Sequence, residues 1–247
     1  MKLSERLERI CSFVPEGSAV ADVGCDHAYV PIYLVQEGIC PCAAASDIRP
    51  GPLRIAGDNI RREGLSEKIA SVVCGGVPRD LKGILRSVGW EEQIPVTLIT
   101  AGMGGLMMLS ILRETDTGQF RCYVASPQKD AAGFRSALGS FGFSIIREEM
   151  VEEDGHFYPV ILSEQCPGVV PALSFEEALL GPLLMRDRSD VFMRYLEKRK
   201  CELEKILEAV PEGLKERREE VLRELEVYNK ASGKRGTAKG ENYAGLC

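Results

Sequence analysis

Residues 21–29 read Ala21-Asp22-Val23-Gly24-Cys25-Asp26-His27-Ala28-Tyr29 and close a short apolar run that begins at Ala19. An acid followed by a glycine at the end of a first strand marks a strand-to-helix loop in which the backbone can approach a ligand closely. The pattern is not GxGxxG. The place of the second glycine of a dinucleotide loop is taken by Asp26, whose charge repels a pyrophosphate and suits a cationic ligand.

Outward from this stretch, two kinds of segment alternate. Apolar runs fall at 19–23, 42–46, 69–74, 95–101 and 122–125, and helix-like segments at 31–36, 51–63, 78–87, 106–112 and 131–141. An N-terminal helix precedes them, with Leu3, Leu7, Ile10 and Phe13 at helical spacing. Strands alternating with helices predict a parallel sheet covered on both faces. The pattern then changes: strand-like runs at 144–151 and 157–163 flank Asp154-Gly155, a hairpin turn signal. A parallel sheet closed by an antiparallel hairpin predicts an α/β fold of the class I methyltransferase, Rossmann-like kind, with its domain over residues 1–164.

Residues 165–173 hold two prolines and a glycine and read as a linker. Beyond it, 175–210 and 214–228 are charged and helical, broken at Pro211-Glu212-Gly213. Leu196, Leu203, Leu207 and Val210, answered by Leu214, Val221, Leu225 and Tyr228, predict an α-helical hairpin over 174–228 with a coiled-coil-like seam. Residues 229–247 are expected to form a flexible tail.

The 247 residues carry 31 basic and 37 acidic side chains, a net charge of −6, which argues against a generally basic polyanion binder. Residues 1–164 hold the whole excess of acid and 165–247 are neutral, so the appendage, with Arg186, Arg188, Arg194, Lys198, Arg199 and Lys200, is the better place for a polyanion to bind, unless these are a solvated helix face with i,i+4 pairs. Nine cysteines without a CxxC, and only two histidines, predict no structural zinc and a reduced, cytoplasmic protein. The uncharged run from Ile94 to Leu112 is broken by Pro95 and three glycines and reads as strand, loop and helix rather than a membrane span.

Further candidate positions lie where the strands end. Asp47 follows the second strand, 25 residues after Asp22, where an acid commonly holds a ribose. Thr100-Ala101-Gly102-Met103-Gly104-Gly105 opens a loop after the fourth strand. Ser126-Pro127-Gln128 places an amide after the fifth, suited to the edge of a base, although a plain turn accounts for it equally well.

ADVGCDHAYVPIYLV at 21–35 resembles the ADIGSDHAYLP motif of the bacterial tRNA adenine-22 N1-methyltransferases, the TrmK family, and ITAGMGG at 99–105 resembles that family's IAGMGG. The likeness continues in GLSEKI at 64–69, EEDGHFYPV at 152–160 and GPLLMRDRSDVFMRYL at 181–196. It implies methyl transfer from S-adenosylmethionine to N1 of adenine 22 in a tRNA. It implies a cofactor site at Gly24, Asp26, His27, Asp47, Gly102, Met103 and Gly104, and the neighbouring strand-end residues Asp22, Cys25, Ile48, Gly75, Gly76 and Ala101 complete the candidate cofactor-binding set. The resemblance puts the target adenine near Asp26, Tyr29 and residues 125–128, so the candidate substrate-binding residues are Tyr29, Ser126, Pro127 and Gln128, joined on charge grounds alone by Arg194 and Lys198, with Asp26 and Tyr29 as the candidate catalytic residues and no metal. The sequence departs from the family at Asp47, where Glu is usual, at Cys74-Gly75-Gly76, where GDG is usual, and at Ser126-Pro127-Gln128, where QPN is usual. A glutamate expected near Pro159 is also missing.

On this reading, N1 attacks through its in-plane lone pair, Asp26 stabilises the cationic ring, and Tyr29 stacks on an unpaired or flipped base. Tyr29 is equally a core residue, and His27 equally a loop cap. A monomer is the expectation. Three rivals stay open: a methyltransferase for another substrate, a NAD-linked enzyme, and a non-catalytic RNA-binding scaffold.

Overall fold

The structure is a computed structural model and describes residues 2–233. The chain forms two compact units, Met1–Leu183 and Leu184–Cys247.

The first unit alternates strand and helix as predicted. Its strands are β1 (Ala19–Val23), β2 (Ala43–Asp47), β3 (Ile69–Val73), β4 (Val96–Ala101), β5 (Cys122–Ser126), β6 (Phe143–Glu153) and β7 (His156–Gln165). Its helices are α1 (Glu5–Cys11), α2 (Tyr29–Gln36), α3 (Pro50–Arg62), α4 (Leu81–Arg86), α5 (Gly105–Arg113), α6 (Ala131–Leu138) and α7 (Phe175–Leu180). The sheet order is β3-β2-β1-β4-β5-β7-β6. Strands β1 to β5 are parallel, and β7 runs antiparallel to both β5 and β6. Asp154 and Gly155 both adopt positive φ at the β6–β7 turn, the backbone a two-residue hairpin favours. The run from Ile94 to Leu112 resolves into β4, a glycine loop and α5. Among the described residues, no helix is long and apolar enough to cross a membrane.

Burial explains the strand composition. β1, β2 and β5 are buried along their whole length, so an unbroken apolar or small run is what they require. β3 is the exception: it lies at the sheet edge, and its residues alternate between more and less exposed. One core layer packs α1, α2 and α3 against the sheet, through Ile10, Phe13, Ile32, Leu34 and Ile60. The other packs α4, α5 and α6, through Leu85, Leu109, Phe134 and Leu138.

The continuous helix predicted over 175–210 is corrected to three. After α7 come α8 (Pro182–Asp187) and α9 (Asp190–Ala209). The first break is at Gly181, with φ +93° and followed by a proline. The second is at Arg188, with φ +48°, followed by Ser189 capping α9. α7 also belongs to the first unit, not to the appendage. The buried Arg135 of α6 donates from Nη1 to the α7 carbonyl of Ala178 at 3.2 Å. Its Nε binds Glu148 of β6 at 2.7 Å, and the second oxygen of Glu148 accepts the Leu183 backbone N–H at 3.0 Å. This ion pair ties helix, sheet and the exit of the first unit together.

In the second unit, α9 and α10 (Lys215–Ser232) run antiparallel. Tyr195 meets Tyr228 hydroxyl to hydroxyl at 2.9 Å, and Arg218 at the start of α10 donates to the carbonyl of Val210 at 2.8 Å. Leu196, Leu203, Val221 and Tyr228 are buried as the seam predicts. Leu214 is not on the seam: it caps α10 and is exposed. α10 continues past Tyr228 to Ser232, and the tail beyond residue 233 lies outside the described residues.

Candidate active site

The strand ends converge on a cavity of about 320 Å³ lined by the β1 loop, α1, α2 and the loops after β4 and β5. The β1 loop is held from both sides. The N–H groups of Gly24 and Cys25 both donate to the Ser46 carbonyl of β2, at 2.8 and 3.0 Å. Gly24 adopts φ +77°, and a Cβ there would stand 2.6 Å from Cε of Met103, so the loop after β4 presses directly on it. Asp26 and Ala28 also adopt positive φ, at +50° and +59°. Left-handed backbone at every second residue thus marks this loop, and non-glycine residues keep such strain where the surroundings hold it.

Asp47 supplies that support. Only 4% exposed, it accepts the Asp26 N–H at 3.3 Å with one carboxylate oxygen. The other oxygen accepts the Arg49 N–H at 2.8 Å and Nε at 3.4 Å. Arg49 also reaches Asp26, with Nη2 3.6 Å from Oδ1, so one guanidinium bridges both acids. Asp26 lies open at the cavity, with its second oxygen 3.6 Å from His27 Nε2. The ring of Tyr29, at the start of α2, lies 5.6 Å from that of His27 and is partly exposed.

Asp22 faces the cavity from within β1 and is 5% exposed. No hydrogen bond reaches its carboxylate among the described residues. Burial first, and Asp47 second, push its pKa up to about 7. The same burial, together with Asp22, Asp47 and Asp26, drives the Cys25 thiol far above its ordinary range. Other polar atoms buried without a hydrogen-bond partner are His27 Nδ1 and Arg6 Nε and Nη1 among the lining residues, and Ser126 Oγ at the end of β5.

The two remaining loops are stitched to each other. Gln128 N–H donates to the Met103 carbonyl at 3.0 Å, and Gly105 N–H to the Lys129 carbonyl at 2.8 Å. This sets Gly102, Met103 and Gly104 against Ser126, Pro127 and Gln128. Nearer the sheet edge, Ser46 Oγ donates to the Gly76 carbonyl at 3.1 Å, and Ile48 lies against Gly75.

Of the residues singled out from sequence, the cavity collects Asp22, Gly24, Cys25, Asp26, His27, Tyr29, Ala101, Gly102 and Gln128. Asp47 stands directly behind it. Ile48, Gly75 and Gly76 lie together around the end of β2, outside that lining. Arg194 and Lys198 are on α9 in the second unit, half-buried. Sequence reasoning missed four lining residues: Arg6, Leu7, Val30 and Arg49. Arg49 carried a signal, two residues after an acid at a strand end. Arg6 carried none, because it reaches the site only through the packing of α1.

The residues present fit S-adenosylmethionine. A buried carboxylate without a donor suits a cation, the backbone is open at Gly102, and Asp47 behind the cavity keeps carboxylate lone pairs that ribose hydroxyls could use. Among the described residues, no group of three His, Cys, Asp or Glu side chains is placed to hold a metal ion.

A sheet of this order, with an acid-and-glycine loop at the carboxyl end of β1, defines a class I methyltransferase fold. A family model described as a methyltransferase domain matches residues 3–161. The tRNA (adenine(22)-N(1))-methyltransferase of Bacillus subtilis is 30% identical over 200 residues, 78% of this chain and 79% of that protein. The chain belongs to this methyltransferase family. Among solved structures, the Sp1610 protein of Streptococcus pneumoniae in complex with S-adenosyl-L-methionine superposes with a TM-score of 0.78 at 30% identity, covering 94% of this chain and all of that one. M. capricolum TrmK in complex with S-adenosyl-homocysteine superposes with a TM-score of 0.77 at 27% identity, covering 93% and 97%.

Proposed function

We propose that this protein transfers a methyl group from S-adenosylmethionine to N1 of adenine 22 in tRNA, in the cytoplasm, with the acidic cavity at the end of β1 as its active site. The observation that carries the reading is the juxtaposition in one cavity of buried, donorless Asp22 with open Asp26, beneath the Gly24–Met103 contact. The family relationship supplies the substrate.

When bound, S-adenosylmethionine supplies an electrophilic methyl group on a sulfonium. Asp22, which lines the cavity, would meet the cofactor's positive charge. Asp47, fixed by the two backbone N–H groups it accepts, offers its remaining lone pairs to ribose hydroxyls. The glycine loop at 102–104 lets the backbone lie close to the reacting atoms. N1 of adenine would attack the methyl carbon with its lone pair as the carbon–sulfur bond breaks and its electrons return to sulfur, so no side chain has to remove a proton first. Asp26, at the cavity mouth, stabilises the positive charge the ring acquires and accepts from the exocyclic amine. Tyr29 offers an exposed ring for the flipped base to stack upon, and Gln128 an amide for its edge. Most of the acceleration on this scheme is positional. Arg194 and Lys198 hold the body of the tRNA by its phosphates.

The test is to incubate the purified protein with labelled S-adenosylmethionine and unmodified tRNA transcript, then map the methyl group by reverse-transcription stops. A stop at adenine 22 is the expected result. A methyl group elsewhere, or none despite intact cofactor binding, overturns the substrate assignment.

A further inference from the structure

We propose that Arg6 is an oxyanion receptor of the active site, taking either the carboxylate at the amino-acid end of the cofactor or a phosphate of the target nucleotide. The inference rests on the methyltransferase reading above and adds to it a residue on α1, outside every loop that the strand ends provide.

Arg6 lines the same cavity as Asp22 and Asp26. Its Nε and Nη1 are buried and make no hydrogen bond. The nearest acid is Glu153 at the end of β6, whose Oε2 lies 3.7 Å from Nε, outside hydrogen-bond reach. The other oxygen of Glu153 accepts the Arg6 backbone N–H at 3.2 Å, which places this carboxylate as an anchor for the start of α1. The guanidinium lies over the ring of Tyr158 on β7, 4.7 Å from its centroid. The aromatic face and Glu153 therefore hold the group in position while leaving donors unspent.

A guanidinium buried with unmet donors is costly unless an acceptor arrives. The cavity itself offers none in reach: Asp26 and Asp47 are engaged by Arg49, and Asp22 makes no hydrogen bond. Arg6 is thus the cation of the lining that the protein's own acids leave unneutralised at hydrogen-bond distance. With Asp22 it gives the cavity one unmet positive and one unmet negative group. The complement is a ligand carrying an oxyanion near a cation. An α-amino-acid end beside a sulfonium has that pattern, and so does a nucleotide phosphate delivered next to a bound cationic cofactor. A guanidinium meets either with charge-assisted hydrogen bonds.

The experiment compares wild type, Arg6→Met and Arg6→Lys. Arg6→Met keeps an apolar stem over Tyr158 and removes the donors; Arg6→Lys keeps the charge. Dissociation constants are measured calorimetrically for S-adenosyl-homocysteine and for its decarboxylated analogue, and KM for tRNA is measured under saturating cofactor. If the oxyanion is the cofactor carboxylate, Arg6→Met weakens S-adenosyl-homocysteine about tenfold or more, binds the decarboxylated analogue as wild type does, and is partly rescued by Arg6→Lys. If it is a phosphate, KM for tRNA rises by a similar factor, the cofactor constants stay put and the salt dependence of tRNA binding flattens. In both cases the ligand-free Arg6→Met protein melts within a few degrees of wild type, because the lost ring contact with Tyr158 and the 3.7 Å pairing with Glu153 are offset by the removal of buried, unmet donors. Arg6→Met and Arg6→Lys proteins within twofold of wild type in every constant overturn the inference, as does a lowered melting temperature with unchanged constants, which marks a purely structural residue. Wild-type protein that neither binds S-adenosyl-homocysteine nor methylates tRNA overturns the underlying reading instead, a result visible before any variant is made.

Discussion

The carboxylate of Asp47 holds the backbone of Asp26: Oδ2 accepts the Asp26 N–H at 3.3 Å, and Asp26 sits at φ +50°. A buried side chain from the second strand thus sets the position of the acid assigned to catalysis on the first loop. Asp47→Ala strips the acceptor from the N–H groups of Asp26 and Arg49. The expected loss is on the order of 1–3 kcal/mol of stability, with a larger fall in kcat/KM than that loss explains. Urea denaturation beside steady-state kinetics checks it; a variant that loses stability alone separates Asp47 from the site.

Asp26→Asn keeps the shape of the side chain, and asparagine tolerates the left-handed backbone here. Turnover is expected to fall on the order of 10²-fold while S-adenosyl-homocysteine affinity stays within about threefold, as removal of one stabilising group from a transition state predicts. Retained turnover removes Asp26 from the reaction.

Asp22 makes the site pH-sensitive. Its folded pKa is raised to about 7, so across roughly pH 4 to 7 the unfolded chain has released a proton that the folded chain still holds. Stability of the ligand-free protein therefore falls as pH rises through that window, and is level above it. Binding a cation requires the carboxylate, so S-adenosylmethionine affinity climbs between about pH 6 and 8 and protons are released on binding. Asp22→Asn flattens both profiles. Calorimetry in buffers of different ionisation enthalpy reads the proton release; a flat wild-type profile disproves the assignment.

The Arg135–Glu148 pair is almost wholly buried, with side chains 2% and 0% exposed. Arg135→Met leaves Glu148 charged and without its guanidinium, which is expected to cost about 3–5 kcal/mol. The double variant Arg135→Met, Glu148→Leu should recover most of that loss. A double variant no more stable than the single one contradicts this account.

Gly75 stands where the family carries an aspartate, which the resemblance directs at the adenine amino group of the cofactor. Gly75 does not use a left-handed backbone, and a Cβ there meets only Ile48 Cδ1 at 3.3 Å, the tip of an exposed side chain. Gly75→Asp is accordingly expected to tighten S-adenosylmethionine binding by up to about tenfold, the worth of one added hydrogen bond. Weaker binding in calorimetry places the cofactor's adenine elsewhere.

Where burial alone dictates composition, the chain was readable from its residues. β1, β2 and β5 are covered on both faces and show it as runs of apolar and small residues, interrupted only by Asp22 and by the polar residues at the ends of β2 and β5, and the Asp154-Gly155 turn announced the antiparallel ending. The break at Gly181 was less visible because charged helical composition continues on both sides of it, and the preference of Gly181 for φ +93° is a property of the folded backbone. The site divides in the same way. Asp22, Gly24, Asp26 and Gly102 follow strand ends and are local signals. Arg6 enters by tertiary packing across almost the full length of the first unit, and from sequence it is one more charge on an amphipathic helix.

Cys25 lines the same cavity as Asp22 and Asp26. A thiolate there would compete with adenine for an alkylating methyl group. Burial and the surrounding acids hold the thiol protonated, since each nearby negative charge makes a second anion harder to form. On the proposed reading, the acids that would attract the cationic donor therefore also keep the thiol beside it protonated, so that a soft nucleophile in the lining would not be methylated in place of the substrate.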